Sequence, residues 1–162
     1  KDYEYQHEVI NSSRLKLMKV DKNLQEELFA FLQKYFPGRW LYEAQNIARI
    51  PGGVEDYRIL RYKNKVVGFI RANRSTSTYQ GPNVNWGNYY SSQYCGFGPL
   101  GIAPQFRGNG WGLYMISKLI KEFKKEGYIH CFIDWTTLVE YYKKLGFEPI
   151  FQFLPLKKIL EG

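Results

Sequence analysis

The residues with the clearest chemical potential lie at Arg107-Gly108-Asn109-Gly110-Trp111-Gly112. Glycines let successive backbone N–H groups turn toward one point and form an anion-binding nest. The run also opens a strongly amphipathic segment, and a helix N-terminus there adds unpaired donors and a positive dipole. A diphosphate suits that environment without any particular side chain. The glycines fall at 108, 110 and 112, which is not the G-x-G-x-x-G of dinucleotide folds. No Gly-Lys-Ser/Thr of a P-loop is present either.

A second chemical feature is Asp134, which ends an otherwise apolar run of Ile129, Cys131, Phe132 and Ile133. A carboxylate there is costly unless solvated or paired, and partial burial lifts its pKa toward the range of a general base. Its alternative role is to cap the next helix, which Thr136 or Thr137 could equally do. A third feature is a set of aromatic residues, Tyr79, Trp86, Tyr89, Tyr90, Tyr94 and Trp135, interleaved with Asn83, Asn85 and Asn88. Aromatic faces with amide side chains suit a pyranose ring, and they also suit single-stranded nucleic acid.

These groups need a frame. Residues 14–20 (RLKLMKV) alternate as a half-buried strand, and Leu24, Leu28, Phe31, Leu32 and Tyr35 give residues 23–36 helical spacing. Pro37-Gly38 breaks that helix, and residues 40–50 read as a second one. Strands are expected at 57–62 and 65–72, joined by a Lys63-Asn64 hairpin turn. Residues 73–92 form a long aperiodic stretch of the kind that carries function. The strand expected at 93–102 is interrupted by Gly96, Gly98, Pro99 and Gly101, which predicts a bulge. A helix over 110–126 places Lys121, Lys124 and Lys125 toward its C-terminus, where the dipole favours them, and Gly127 ends it. A strand at 128–134, a helix at 137–145 closed by Gly146, and a last strand at 147–156 complete an α/β (α+β) layered order.

Bulk properties bound the answer. The 162 residues suffice for one core, so residues 1–13 read as a tail or linker, with His7 in it, and 14–162 as a single domain. Without an initiator Met, the chain reads as a processed product or an excised domain. No apolar run approaches the length of a membrane span, and no signal-peptide pattern opens the chain. Cys95 and Cys131 lack metal-ligand spacing and read as buried thiols of a reducing, cytoplasmic compartment. No metal is expected. A net charge of +8 favours an anionic partner, but no nucleic-acid motif accompanies it.

The run from Pro99 to Gly112, PLGIAPQFRGNGWG, resembles the coenzyme-binding motif of the GNAT superfamily of N-acetyltransferases through Arg107, Gly110 and Gly112. Tyr141-Tyr142-Lys143-Lys144-Leu145-Gly146-Phe147 resembles that family's second signature. The resemblance implies a mixed central sheet of six to seven strands flanked by about four helices, with acetyl-CoA as cosubstrate. It implies that Leu100, Gly101 and Ile102 bond the pantetheine and that the amides of Arg107 to Gly112, through Gly108, Asn109, Gly110 and Trp111, hold the diphosphate. It further implies that Tyr142 is the general acid, and that an amide near Leu100 or Gly101 stabilises the oxyanion. For the base, Asp134 is favoured and Glu140 is the alternative; His130 reads as structural.

Trp135 and Leu138 replace residues common in the family before the tyrosine motif, which leaves the acceptor pocket specific to this chain. The expected acceptor is a primary amine, favourably an amino sugar gripped by Trp135, Trp86, Tyr79 and Tyr94. A fainter similarity to bacterial glucosaminide N-acetyltransferases points the same way and implies a longer two-domain chain. Aminoglycosides, small molecules, peptide N-termini and lysines are the other acceptors, and a non-catalytic acyl-CoA- or sugar-binding module is the alternative class.

Overall fold

The computed structural model describes residues 14–81 and 84–159. The expected tail at 1–13, with His7, and Asn83 lie outside the described residues. Five strands form one sheet in the order β1 (Leu15–Lys19), β2 (Tyr57–Tyr62), β3 (Lys65–Arg74), β4 (Tyr94–Ile102) and β5 (His130–Phe132). All neighbours are antiparallel except β4 and β5, which are parallel. The Lys63-Asn64 turn forms as expected, with φ of 47° and 62°, the left-handed pair that a type I′ hairpin requires.

Helices cover both faces of the sheet. Helices α1 (Gln25–Tyr35) and α2 (Arg39–Ile47) pack Leu28, Phe31, Leu32, Leu41, Ala44 and Ile47 against Tyr57, Ile59 and Phe69. Gly38, at φ 102°, turns the chain between them. On the other face, α3 (Trp111–Lys125) buries Leu113, Met115, Ile116, Leu119 and Phe123 against Leu60, Ile70, Ala72, Cys95 and Phe97. The alternation of β2 and β3 residues between the two cores follows from the two-residue period of a strand. Gly110 (φ 71°) precedes α3 and Gly127 (φ 89°) follows it, as read from the sequence.

Two charge systems, each built on a buried arginine, tie these layers. Arg58 and Arg74 share Glu122 of α3 at 2.5 and 2.7 Å, and Arg74 also holds Glu126 at 2.6 Å. Burial works to raise the Glu122 pKa, but the two guanidinium groups outweigh it and hold the carboxyl below its ordinary range. Across the sheet, Arg71 pairs with Glu43 of α2 at 2.7 Å.

The expectation of six to seven strands is corrected to five among the described residues, where no strand forms over 147–156. Beyond α4 (Val139–Lys143) the chain is irregular, and Ile150, Phe151, Phe153, Leu154 and Leu156 are exposed. Pro149 and Pro155 each remove a ladder donor within that run. The apolar composition alone mimics a strand. Cys95 and Cys131 are free thiols facing each other across the parallel pair; Cys95 is buried and Cys131 partly so. Hydrogen bonding to Cys95, with burial, pushes the Cys131 thiol well above its usual range. No helix among the described residues is long and apolar enough to cross a membrane.

Candidate active site

The site begins where β4 and β5 part. Their ladder joins Tyr94, Cys95 and Gly96 to His130, Cys131 and Phe132 and goes no further. From Phe97 onward β4 has a partner on one side only. Its register with β3 slips between Ile70 and Ala72, opposite Gly98-Pro99, which is the bulge expected from the glycines and proline. The Ala103 N–H donates to the Val67 carbonyl at 2.9 Å, so strand alternation turns the N–H groups of Leu100 and Ile102 away from β3 and into the gap. Gly101 is the exception among the expected contacts. Its backbone faces β3, and a Cβ there would lie 2.5 Å from the Phe36 ring and 2.8 Å from Phe69. Of the two expected oxyanion donors, Leu100 is therefore the one that faces the gap.

The glycine loop follows directly. Gly108 (φ 81°) and Gly110 (φ 71°) adopt left-handed backbone that side chains with a Cβ resist. The Arg107 N–H bonds the Pro104 carbonyl at 3.2 Å, so it is engaged in the preceding turn, and the free donors begin at Gly108. This corrects the expectation that the Arg107 amide joins the cradle. The Arg107 side chain instead donates from Nε to the Ile102 carbonyl at 3.0 Å, bracing loop against strand. Asn109 braces it likewise through the Phe106 carbonyl at 3.2 Å. Trp111 is buried and stacked on Phe106 at 5.3 Å, so only its amide is available. The first amides of α3 lack intrahelical partners and face the same mouth.

On the α3 face, α4 brings its tyrosines to the bulge. The Tyr142 ring packs 6.3 Å from Phe97, next to Gly98, and 6.2 Å from Phe147. Burial raises its pKa, so the phenol stays protonated at neutral pH. Tyr141, read from sequence as core, reaches further than expected: a Cβ on Gly112 would lie 2.2 Å from its hydroxyl. Nothing in the sequence signals that approach beyond the glycine itself.

Asp134 lies two residues past β5. Cys131 and Ile133 pack into the α3-side core, so Phe132 at the end of β5 turns to the opposite face. Burial raises the Asp134 pKa, with partial opposition from a hydrogen bond to the Trp135 backbone. Thr136 serves the turn before α4 by accepting the Leu138 N–H at 3.0 Å, which leaves Asp134 out of that role. Glu140, the alternative base, is paired with Lys143 at 2.6 Å on the exposed side of α4. His130 is bonded to Ser91 at 3.1 Å and packed on Tyr90.

The expected aromatic grip divides. Trp135 is 81% exposed and held at φ 45°, a costly conformation for a bulky residue, beside Asp134. Trp86 packs against Phe151 at 4.8 Å. Tyr79 stacks on the Arg71 guanidinium at 5.0 Å. Tyr94 is contradicted as a substrate contact: it is 3% exposed, its ring pressed on Gly87. Tyr90, from the same long loop, covers Phe132 at 5.2 Å.

The sequence profile of the acetyltransferase (GNAT) family matches residues 22–147. No curated protein sequence matches the chain. Among solved structures, the chain is similar to a GCN5-related glucosamine N-acetyltransferase region of a fungal multi-domain GH3 beta-N-acetylglucosaminidase. That likeness has a TM-score of 0.73 and 21% identity, over 82% of this chain and 16% of that one, so this chain spans a small part of the fungal protein's length. The aminoglycoside N-acetyltransferase AAC(6')-Iy in complex with CoA is similar at a TM-score of 0.62 and 16% identity, over 89% of this chain and 94% of that one. An acetyltransferase from Trypanosoma brucei matches at 0.61 and 18%, over 89% and 99%. At these identities the likeness is one of fold.

Proposed function

Because this chain belongs to the GNAT acetyltransferase family, we propose that it transfers the acetyl group of acetyl-CoA to the primary amine of an amino sugar. The observation that carries the reading is the parting of β4 from β5 directly above a glycine loop and a helix N-terminus. A strand edge with inward N–H groups fits an amide-bearing pantetheine arm, and the loop amides from Gly108 onward fit a diphosphate. The positive charge of the chain agrees with an anionic cosubstrate.

Acetyl transfer to an amine needs a base, an oxyanion donor and an acid. Asp134 takes the proton of the ammonium, because only the free amine attacks the thioester carbon. The Leu100 N–H donates to the thioester oxygen as it gains charge. Tyr142, protonated, hands its proton to the departing sulfur from the α3 face. Trp135 stacks on the sugar ring beside the base. The fold shared with a glucosamine N-acetyltransferase region and with an aminoglycoside N-acetyltransferase supports an amino-sugar acceptor.

The test is thiol release from acetyl-CoA against glucosamine, chitosan oligomers, an aminoglycoside, a polyamine and a lysine peptide. Turnover concentrated on the sugars is the expected result. Turnover on the peptide or polyamine alone overturns the amino-sugar assignment.

A further inference from the structure

The outer edge of the sheet is open. β5 pairs with β4 alone, so the far side of His130–Phe132 carries backbone groups that no strand among the described residues meets. Apart from Tyr42 and Tyr79, the large apolar side chains exposed among the described residues all come from residues 89–90 and 129–159. Ring contacts gather several of them at this edge. Tyr90 lies 5.2 Å from Phe132, and Trp86 lies 5.8 Å from Tyr89 and 4.8 Å from Phe151. A cavity of about 290 Å³ is lined both by Cys131, Phe132 and Ile133 and by Phe147 and Ile150 of the chain after α4. Laddered strands lie about 4.8 Å apart and leave no such space, so the chain's own residues 147–150 border β5 without pairing with it.

The same chain carries a segment that fits such an edge. Residues 150–154, Ile-Phe-Gln-Phe-Leu, lie between Pro149 and Pro155, and each of the five keeps its backbone N–H. Isoleucine and phenylalanine favour extended, paired backbone. The segment takes part in no helix or strand, and Phe153 and Leu154 are 61% and 78% exposed. Neighbouring exposed apolar side chains mark an interaction surface. An open strand edge beside an unpaired aliphatic and aromatic segment points to a protein chain as the occupant, through added-strand pairing.

We propose that residues 150–154 of a second copy of this chain pair with β5, and that the exchange is reciprocal. Edge and segment belong to one sequence, so each copy gives a strand and accepts one. Such an exchange closes as a two-fold dimer and not as a filament. The added strand satisfies the backbone groups on the free side of β5 and takes the exposed side chains of 150–154 out of water. The proposal needs no residue of the acid, the base or the coenzyme cradle, so it stands or falls apart from the acetyl-transfer reading.

The test is sedimentation velocity of the full chain over a wide range of concentration, with amide hydrogen exchange in parallel. The wild type sediments as a dimer when concentrated and dissociates on dilution. Amides of residues 150–154 gain protection only where the dimer is populated. The double variant Gln152→Pro, Phe153→Pro removes two consecutive donors, so the one aimed at β5 is lost in either register. It weakens the dimer about 30-fold, or about 2 kcal/mol, because the symmetric pair loses the same ladder bond twice. The melting temperature of the dilute monomer is unchanged. A wild type that stays monomeric at every concentration overturns the proposal, as does a dimer that the double variant leaves intact. Protection of 150–154 in the dilute monomer also overturns it, by placing the segment on its own β5. So does growth into open-ended assemblies, or a dimer lost only together with the melting temperature of the monomer.

Discussion

Tyr142→Phe removes one hydroxyl and leaves the ring in place. The contacts of that ring with Phe97 at 6.3 Å, Phe147 at 6.2 Å and Tyr141 at 5.1 Å are all retained. The stability change is therefore within about 0.5 kcal/mol, as for a substitution that opens no cavity and orphans no partner. The kinetic effect is set by how much the leaving thiolate needs a proton. General acids contribute about 10²–10⁴-fold. The phenol pKa stands above its ordinary 10.0 through burial, whereas an alkyl thiol titrates near about 8.5. Proton transfer from phenol to thiolate is uphill, so the gain sits at the lower end. A loss of about 10²-fold in kcat is expected, or about 2.7 kcal/mol of barrier. Steady-state thiol release measures it, with CoA affinity and thermal melting as controls. A kcat within twofold of wild type, with melting unchanged, would refute the assignment and leave the thiolate departing unaided.

Asp134→Asn removes the proposed base, and kcat is expected to fall by about 10²–10³-fold. In the wild type Asp134 must be ionised, so kcat rises with pH through a value above the ordinary carboxylate range; an acidic limb that persists in Asp134→Asn would assign it to another group. Glu122→Gln takes one charge from between Arg58 and Arg74. Because Glu122 is 35% exposed, the cost is discounted to roughly 1–2 kcal/mol, which lowers Tm by about 2–8 °C. The folded-state pKa of Glu122 is lowered, so its stabilisation is present above the ordinary carboxylate range and lost as pH falls through the folded value. Melts at neutral and strongly acidic pH check this, and a deficit that stays constant into acid would contradict the linkage.

Local chemistry made much of the frame legible. The Lys63-Asn64 turn, the helix opened by Gly110 and closed by Gly127, and the bulge at Gly98-Pro99 each follow from backbone constraints that a few residues impose. The same holds for the glycine loop, whereas the strand expected at 128–134 forms only over His130–Phe132, so Asp134 lies two residues past its end. What stayed hidden depends on partners distant in sequence. Tyr94 has the composition of a ligand-stacking residue, and only its packing on Gly87 decides otherwise. The run after Gly146 has a strand's apolarity, but a strand needs a ladder, and Pro149 and Pro155 interrupt its donors. Glu43 lies on a helix and Arg71 on a strand 28 positions away, and nothing local marks them as a pair. The working end of the Arg107 side chain likewise became visible only when Ile102 was placed beside it.

The shortness of the β4–β5 ladder has a thermal consequence. Tyr94 to Gly96 are the residues that pair β5 with the rest of the sheet, and Asp134 and Tyr142 both follow that short ladder, on the turn after β5 and on α4. Segments held by few backbone bonds open at lower cost than the global free energy of unfolding. On warming, catalysis should therefore fade before the far-UV dichroism of β1 to β4 and α3 changes, and amide protons of residues 130–143 should exchange ahead of those in β2 and β3. For the proposed acetyl transfer, the useful temperature range is then set by this short ladder and not by the two well-packed cores.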